Sequence, residues 1–318
     1  MLNWTLRKYQ SAKYITVSSA GFLAKKPAAI DATKLKHPVK PALWKIEGKD
    51  LTKPSYLFGT IHLGDPRITT LHPKAEKAFQ TSDRFYAEID LDPAKQVAIA
   101  PLLVRTDGKI LSESIGPKLT KRLNKALKVI NPDLDSKAFE PMKTWVVIMA
   151  LPTLKLGLSG EKALDAVLYE RAISDEKKVG GIETVESQLK IFDDLTEKEQ
   201  ISLLSDSLKA MKKEQAEGKD SVKELLDLYL TSDVNKIGGM IKEHMENDMG
   251  KNEELGRRLM KTLLDDRNIT MTDTIAKELS EHPGSSQFFA VGAAHYTGKS
   301  AIQDLLTKKG YTITPAFK

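Results

Sequence analysis

The chain has 318 residues, of which 41% are hydrophobic and 29% are charged, a composition typical of globular proteins. It contains no cysteine, which excludes disulfides, thiolate zinc sites and cysteine nucleophiles. The net charge of +6 comes from residues 1–45, which carry nine basic residues and one acidic residue, so we expect no nucleic-acid-binding surface on the nearly neutral remainder.

Residues 1–41 form a basic leader with two open interpretations. Lys8 and Lys13 precede residues 14–24, an apolar stretch with small residues that resembles a weak signal peptide. The alternative is a flexible tail that ends in the proline-containing segment 37–41. The apolar stretch is shorter than the roughly 18 residues of a spanning helix, and we predict no integral membrane segment elsewhere.

The folded body is predicted to occupy residues 42–318 as a single domain. Leu43–Glu47 alternates like an edge strand, and the apolar run 56–58 indicates a strand buried on both faces. Pro73–Thr81 predicts a short helix with proline at its start, and residues 84–91 predict another strand. Strand, helix and strand at this spacing indicate a βαβ unit and a parallel sheet.

The middle of the chain, from about residue 93 to residue 280, is dominated by helical periodicity. Thr196 and Glu199 fit a capping box at the start of one helix, and one strand is predicted at residues 178–184. After the helical region, a helix at 298–309 and a closing strand at 311–317 complete the chain. We therefore predict an α/β fold, with a central, mostly parallel sheet built from both chain ends and a large helical insertion between them.

Two similar motifs stand near the two ends of the body. Each is an apolar run followed by Gly-x-x-His, with Gly59 and His62 in the first copy and Gly292 and His295 in the second. Glycine at a strand end permits a tight bend or a close backbone approach. Each histidine lies where the chain leaves the sheet, the usual place for ligand sites in open α/β folds. We predict that the two histidines meet there.

Two acidic residues, Glu88 and Glu183, also lie at predicted strand ends. If the four strands are parallel neighbours, these side chains and the histidines gather at one edge. Two imidazoles and a carboxylate suit Mn, Co or Zn, which would activate water for hydrolysis. The second carboxylate could act as a general base or orient a ligand's ring proton, and Arg267 could clamp a substrate carboxylate.

Each of these residues also has a plainer interpretation. A Gly-x-x-His histidine can be structural, Glu88 can face solvent, Glu183 can begin a helix, and Arg267 can form a helix-terminal salt bridge. No HExxH, GxSxG, P-loop or GxGxxG motif is present.

Six segments, in their order along the chain, resemble the TraB/GumN family, which includes the animal TIKI proteases: LWKIE, YLFGTIHLGD, FYAEIDL, GGIETVESQ, DDRN and FFAVGAAHYTGKSAIQDLLTKKGYTI. Together they cover essentially the whole body, from about residue 42 to about residue 317. The resemblance implies a fold like that of the erythromycin-esterase and ChaN proteins. TIKI members are described as metal-dependent proteases that use two motif histidines and a glutamate, which correspond to His62, His295 and Glu88. Tyr296 and Thr297 stand where the family often has Leu and Pro.

Two functions follow from this resemblance. The first is a metal-dependent hydrolase of peptides or small molecules, with His62, His295 and Glu88 as ligands and Glu88, Glu183 and Arg267 as catalytic groups. The second is a ChaN-like envelope protein that binds haem or another small ligand without catalysis. Bacterial relatives commonly carry export signals, which favours a periplasmic or cell-surface location and leaves the cytoplasm open.

Overall fold

A computed structural model describes residues 30–152, 154–247 and 252–317. In this part of the chain, six strands form one sheet in the order β4-β3-β5-β2-β1-β6. Most of the predicted leader lies outside the described residues, so the signal-peptide interpretation stays a prediction. The strands are β1 (Leu43–Glu47), β2 (Ser55–Thr60), β3 (Arg84–Ile89), β4 (Lys178–Glu183), β5 (Gln287–Gly292) and β6 (Thr312–Pro315).

Helices fill most of the chain between β3 and β5, with β4 as an interruption at the predicted place. The α/β class, with a helical insertion and a sheet drawn from both chain ends, is therefore confirmed. None of the described helices is long and apolar enough to span a membrane. They are α1 (Pro66–Thr69), α2 (Pro73–Thr81), α3 (Pro93–Ala98), α4 (Ala100–Leu103), α5 (Leu111–Ile130), α6 (Thr144–Ala150), α7 (Leu154–Ser159), α8 (Leu164–Ser174), α9 (Val185–Asp193), α10 (Glu197–Glu217), α11 (Ser221–Leu230), α12 (Val234–Asn247), α13 (Glu253–Met260), α14 (Arg267–Glu281) and α15 (Ile302–Lys308).

The strands β4, β3, β5 and β2 are parallel neighbours, whereas β1 is antiparallel to both β2 and β6. The prediction that Leu43–Glu47 is an edge strand is wrong. After α15 the chain returns beside β1, where Trp44 lies opposite Pro315, so that β6 forms the edge. The proline suits this position, because an edge strand can do without one ladder donor.

Helices cover both faces of the sheet, and alternate strand residues supply the two apolar layers. Phe85 belongs to the layer on one face and Tyr86 to the layer on the other, where α14 contributes Met271 and Ile275. Glu88 lies two residues beyond Tyr86 on β3 and therefore shares its face. The strand period thus directs this carboxylate toward the beginning of α14.

Candidate metal centre

The four predicted side chains at strand ends lie at the carboxyl ends of adjacent parallel strands. Glu183 ends β4, Glu88 lies near the end of β3, and His62 and His295 follow β2 and β5. Glu88 stands between the histidines: its Oε1 is 3.7 Å from His295 Nε2 and 3.9 Å from His62 Nε2. His62 and His295 are more than 230 positions apart in sequence, yet both rings lie beside the same carboxylate oxygen.

Both imidazole rings are oriented by hydrogen bonds at Nδ1. His62 Nδ1 lies 2.8 Å from Asp165 Oδ2, and Thr60 donates to the other carboxylate oxygen of Asp165. His295 Nδ1 lies 2.5 Å from Asn268 Oδ1, while Asn268 Nδ2 donates to the His295 carbonyl. These acceptors place a ring proton on each Nδ1, so that Nε2 is the atom of each ring that lies near Glu88.

Electrostatics favour neutral imidazole at His295 and ionised carboxylate at Asp165. Burial, together with the nearby Arg267 guanidinium, lowers the pKa of His295 to about 3, so the ring is uncharged at neutral pH. Burial by itself raises the pKa of Asp165, but His62 and Thr60 outweigh it and hold that pKa below its usual value. Neutral imidazole is the form that coordinates a metal.

Glu88 is a buried carboxylate with donors on both oxygens. Its Oε1 accepts the Gly292 backbone N–H at 2.7 Å, and its Oε2 accepts Arg267 Nη2 at 2.7 Å and Gln188 Nε2 at 3.2 Å. Burial raises the pKa of Glu88, but the Arg267 guanidinium and the Gly292 N–H together hold it well below its usual range. The side chain is therefore a fixed anion.

Arg267 and Glu183 complete the network on the side of Glu88 away from the histidines. Arg267 donates to Glu183 Oε2 through Nε at 2.9 Å and Nη2 at 2.7 Å, and Nη1 donates to the Leu263 carbonyl. Only 5% of Arg267 is exposed. Arg267 begins α14 directly after a π-helical segment, Lys261–Asp266, and so reaches both carboxylates. Its guanidinium is occupied by the protein itself.

Gly292 keeps space open where the ligand atoms converge. A Cβ at this position would lie 2.9 Å from Glu88 Oε1, 3.6 Å from His295 Cδ2 and 3.9 Å from His62 Nε2. Its φ of −51° is ordinary, so the glycine is required for space and not for backbone conformation. At Gly59 the reason is also a close approach, since an added Cβ would lie 2.6 Å from the Cβ of Ala42.

These residues fit a divalent first-row metal. Bonds of about 2.0–2.2 Å to imidazole nitrogen and carboxylate oxygen require ligand atoms roughly 3 to 4 Å apart, and the two Nε2–Oε1 distances satisfy this. The two Nε2 atoms do not lie within 4.8 Å of each other, so one ring must move toward the other to bind the same ion. Glu88 Oε1 retains a lone pair beyond the one that accepts the Gly292 N–H. The His62 side chain is 20% exposed, against 5% for His295 and for Glu88, so solvent reaches the centre from the His62 side.

A second group of possible ligands lies at the opposite end of the sheet. Glu278, Glu281 and His282 place one donor atom each within 4.8 Å of one another. Gln287, the first residue of β5, donates to the carbonyl of Glu278. The group is partly exposed, and the Tyr86 hydroxyl already donates to Glu278 at 2.5 Å. It shares no residue with the histidine centre.

Three functional residues were not predicted as members of the site: Asp165, Asn268 and Gln188. Asn268 directly follows Arg267, and Gln188 closes the segment GGIETVESQ, so both stand inside recognised motifs. Asp165 had no such signal. It lies 103 residues beyond His62, at the start of α8, and the contact that places it is a backbone hydrogen bond from Leu164 to Leu63.

Comparison with known proteins gives a consistent family relationship. The TraB/PrgY/gumN family model matches residues 42–315. The chain is 23% identical to "Metalloprotease TIKI homolog" of Nematostella vectensis, covering 94% of this chain and 74% of that protein. It is 26% identical to "Metalloprotease TIKI1" of Danio rerio and 25% identical to that of Homo sapiens, in each case over 86% of this chain.

The chain spans 63% of the length of the Danio rerio TIKI1 protein and 61% of the human protein. No solved structure matches it significantly.

Proposed function

This chain belongs to the TraB/PrgY/gumN family, and from that membership we propose that it is a metal-dependent hydrolase of peptide bonds. One observation carries the proposal: two imidazole Nε2 atoms lie 3.7 and 3.9 Å from a single buried carboxylate oxygen. The relatives named metalloproteases support peptides as the substrate class. The proposed ligands are His62, His295 and Glu88.

The chain's own residues would hold and orient the metal. When bound, Mn, Co or Zn would lower the pKa of a water molecule and polarise a substrate carbonyl. His62 and His295 would bind through Nε2, because Asp165 and Asn268 engage both Nδ1 atoms. These hydrogen bonds fix the ring planes before the metal arrives, and such outer partners raise metal affinity.

Glu183 and Arg267 take positioning roles in this proposal. Glu183 contacts neither imidazole proton, since Asp165 and Asn268 accept these, so it does not orient a ligand ring. Arg267 is bonded to Glu88 and Glu183 and fixes Glu88 through its Oε2. A carboxylate whose pKa lies well below neutral is a weak general base, which assigns Glu88 to metal binding and not to proton transfer.

The haem-binding alternative receives less support from this geometry. Haem held between two histidines needs a wide apolar slot between the rings. Here a buried, ionised carboxylate stands between them, held in place by the Gly292 backbone N–H. We therefore retain the hydrolase as the proposed function. A Soret band on haem titration, without peptide cleavage, would favour the alternative.

Metal removal tests the proposed function directly. Protein purified without chelator should contain about one divalent first-row metal ion per chain, measured by plasma mass spectrometry. Dialysis against a chelator should abolish cleavage of a quenched-fluorescence peptide library, and Mn, Co or Zn should restore it. The control is the same treatment followed by Mg, which prefers oxygen ligands and should restore little. Cleavage that resists complete metal removal would reject the proposal.

Substituting Gly292 with alanine should weaken metal binding by about tenfold or more, although no ligand residue is removed. The added methyl group would lie 2.9 Å from Glu88 Oε1, so this oxygen must move from its place between the imidazoles. Isothermal titration with Mn or Zn measures the change. Gly284→Ala is the matched control, because its Cβ would meet only Thr52 Oγ1, at 4.0 Å. Equal affinities in the two variants would contradict a metal at this position.

A further inference from the structure

A cleft of about 860 Å³ begins one residue beyond His62. Leu63, Gly64 and Asp65 form its wall on the side of the sheet, and α5, α10 and α11 of the helical insertion form most of the remainder. The volume lies within the roughly 300–1,000 Å³ of ligand-binding pockets. Leu63, which lines the cleft, directly follows His62 in the chain, and His62 is the most exposed of the proposed ligands.

The interior of the cleft is apolar and is supplied by three helices. Leu208 is buried, and its apolar neighbours along the cleft are half-buried. Such a surface favours ligands with apolar side chains, because their burial removes hydrocarbon from water. The apolar lining residues of the helices include Ala126, Ile130, Leu208, Met211, Val222 and Leu226.

Acidic residues that line the cleft are already engaged by the protein. Asp65 is bonded to Arg67 at 2.9 Å through each carboxylate oxygen. Asp220 caps the first turn of α11, and the buried Glu214 accepts the Ser221 hydroxyl at 2.9 Å. The Arg67 guanidinium offsets the charge of Asp65, whereas the other two contacts fix Asp220 and Glu214 in place without removing their charge.

Six basic and four acidic residues line the cleft, and three of the basic residues are lysines on α5 and α10. Lys125 and Lys128 lie one turn apart on α5, and Lys212 lies on the neighbouring α10. All three are exposed, and they form no ion pair within residues 30–152, 154–247 and 252–317. Positive charge therefore extends along an apolar cleft, a combination that complements a ligand with both apolar groups and several carboxylates.

We propose that this cleft binds the substrate as an acidic peptide that carries apolar side chains; this rests on the proposed function. The lysines are distributed over two helices, which suits a chain with carboxylates at several positions better than a single anionic headgroup. The cleft wall begins at Leu63, the residue after His62, so a peptide that fills the cleft and continues past Leu63 would reach the candidate metal centre. The substrate class is thus peptides that alternate Asp or Glu with Leu, Phe or similar residues.

Fluorescence anisotropy on the full chain tests this proposal, with chelator present so that bound peptide is not cut. Two labelled probes share their apolar residues, and one carries Glu where the other carries Lys. The Glu probe should bind about tenfold tighter or more, and added salt should reduce the difference. The triple variant K125E/K128E/K212E should lose this preference.

The matched control is K77E/K198E/K308E, which changes the net charge equally at exposed lysines that do not line the cleft. It should retain the wild-type preference, because the effect is local. Equal binding of the two probes, or equal loss in both triple variants, would overturn the proposal. Displacement of the Glu probe by phosphatidylglycerol vesicles, with wild-type protein sedimenting on them, would assign the cleft to anionic lipid and overturn it too.

Failure of this proposal can be told apart from failure of the proposed function. Both triple variants keep all the candidate metal ligands, so metal titration should give wild-type affinity in each. If both also cleave the Glu peptide at the wild-type rate, the hydrolase stands and the cleft assignment is overturned. Lysine-dependent binding of the Glu probe without any cleavage would support the peptide site and reject the hydrolase.

Discussion

Substituting His62 or His295 with alanine should lower the affinity for Mn or Zn by more than about 100-fold and abolish peptide hydrolysis. Each histidine supplies one of the two Nε2 atoms that lie near Glu88 Oε1, and the remaining imidazole with one carboxylate oxygen cannot replace it. The ring of His62 is the more exposed, so this variant should fold with less disturbance than the His295 variant. Isothermal titration and peptide cleavage measure the two losses.

His72→Ala is the matched control for these variants. His72 also has a structural hydrogen bond, since its Nδ1 accepts the Lys74 N–H at the start of α2, but it lies outside the candidate centre. This variant should bind metal and hydrolyse peptide as the wild type does. Unchanged hydrolysis in both the His62 and the His295 variants, with the control equally active, would reject a two-histidine hydrolase.

The sequence predicted the meeting of the two histidines because the relevant signals are local. Each Gly-x-x-His motif follows an apolar run, and parallel strands bring their carboxyl ends to one edge. The strand order β4-β3-β5-β2 then places Glu183, Glu88, His295 and His62 side by side. Only the parallel pairing had to be assumed, and the βαβ spacing supported it.

Asp165 and Arg267 show where this reasoning ends. Asp165 reaches His62 only because α8 begins beside the loop after β2. No periodicity or motif in the sequence indicates this tertiary contact. Arg267 was recognised, but the residues it contacts could not be predicted. The two-residue period of a strand predicts which face of the sheet Glu88 lies on. It does not predict which helix packs on that face, because this depends on the core contacts around Tyr86 and Met271.

Substituting Arg267 with methionine should destabilise the chain by about 3–5 kcal/mol at neutral pH, the cost of removing one partner of a buried ion pair. Methionine retains an unbranched stem but no charge, so Glu88 and Glu183 would remain buried without their cation. Urea denaturation with chelator present measures the free energy of unfolding, and an unchanged m-value would show that the unfolded state is the same.

Arg257→Met is the matched control for this variant. Its half-exposed guanidinium pairs with Glu253 and Glu254 in solvent, so this variant should keep a stability close to that of the wild type.

The difference in stability between the wild type and Arg267→Met should depend on pH, and this dependence separates the effect of charge from the effect of packing. The pKa of Glu88 is lower in the folded wild type than in the unfolded chain, so its contribution to stability is present above the unfolded pKa and is lost as pH falls through the folded pKa. Without Arg267 that depression weakens, because burial raises the pKa of the carboxyl. The loss of stability in Arg267→Met should therefore shrink between neutral pH and about pH 4, where glutamates take up protons.

Adding Glu183→Gln to Arg267→Met should recover part of the lost stability at neutral pH, because it removes one of the two unpaired anions. A deficit that is equal at both pH values would instead assign the loss to packing of the arginine side chain.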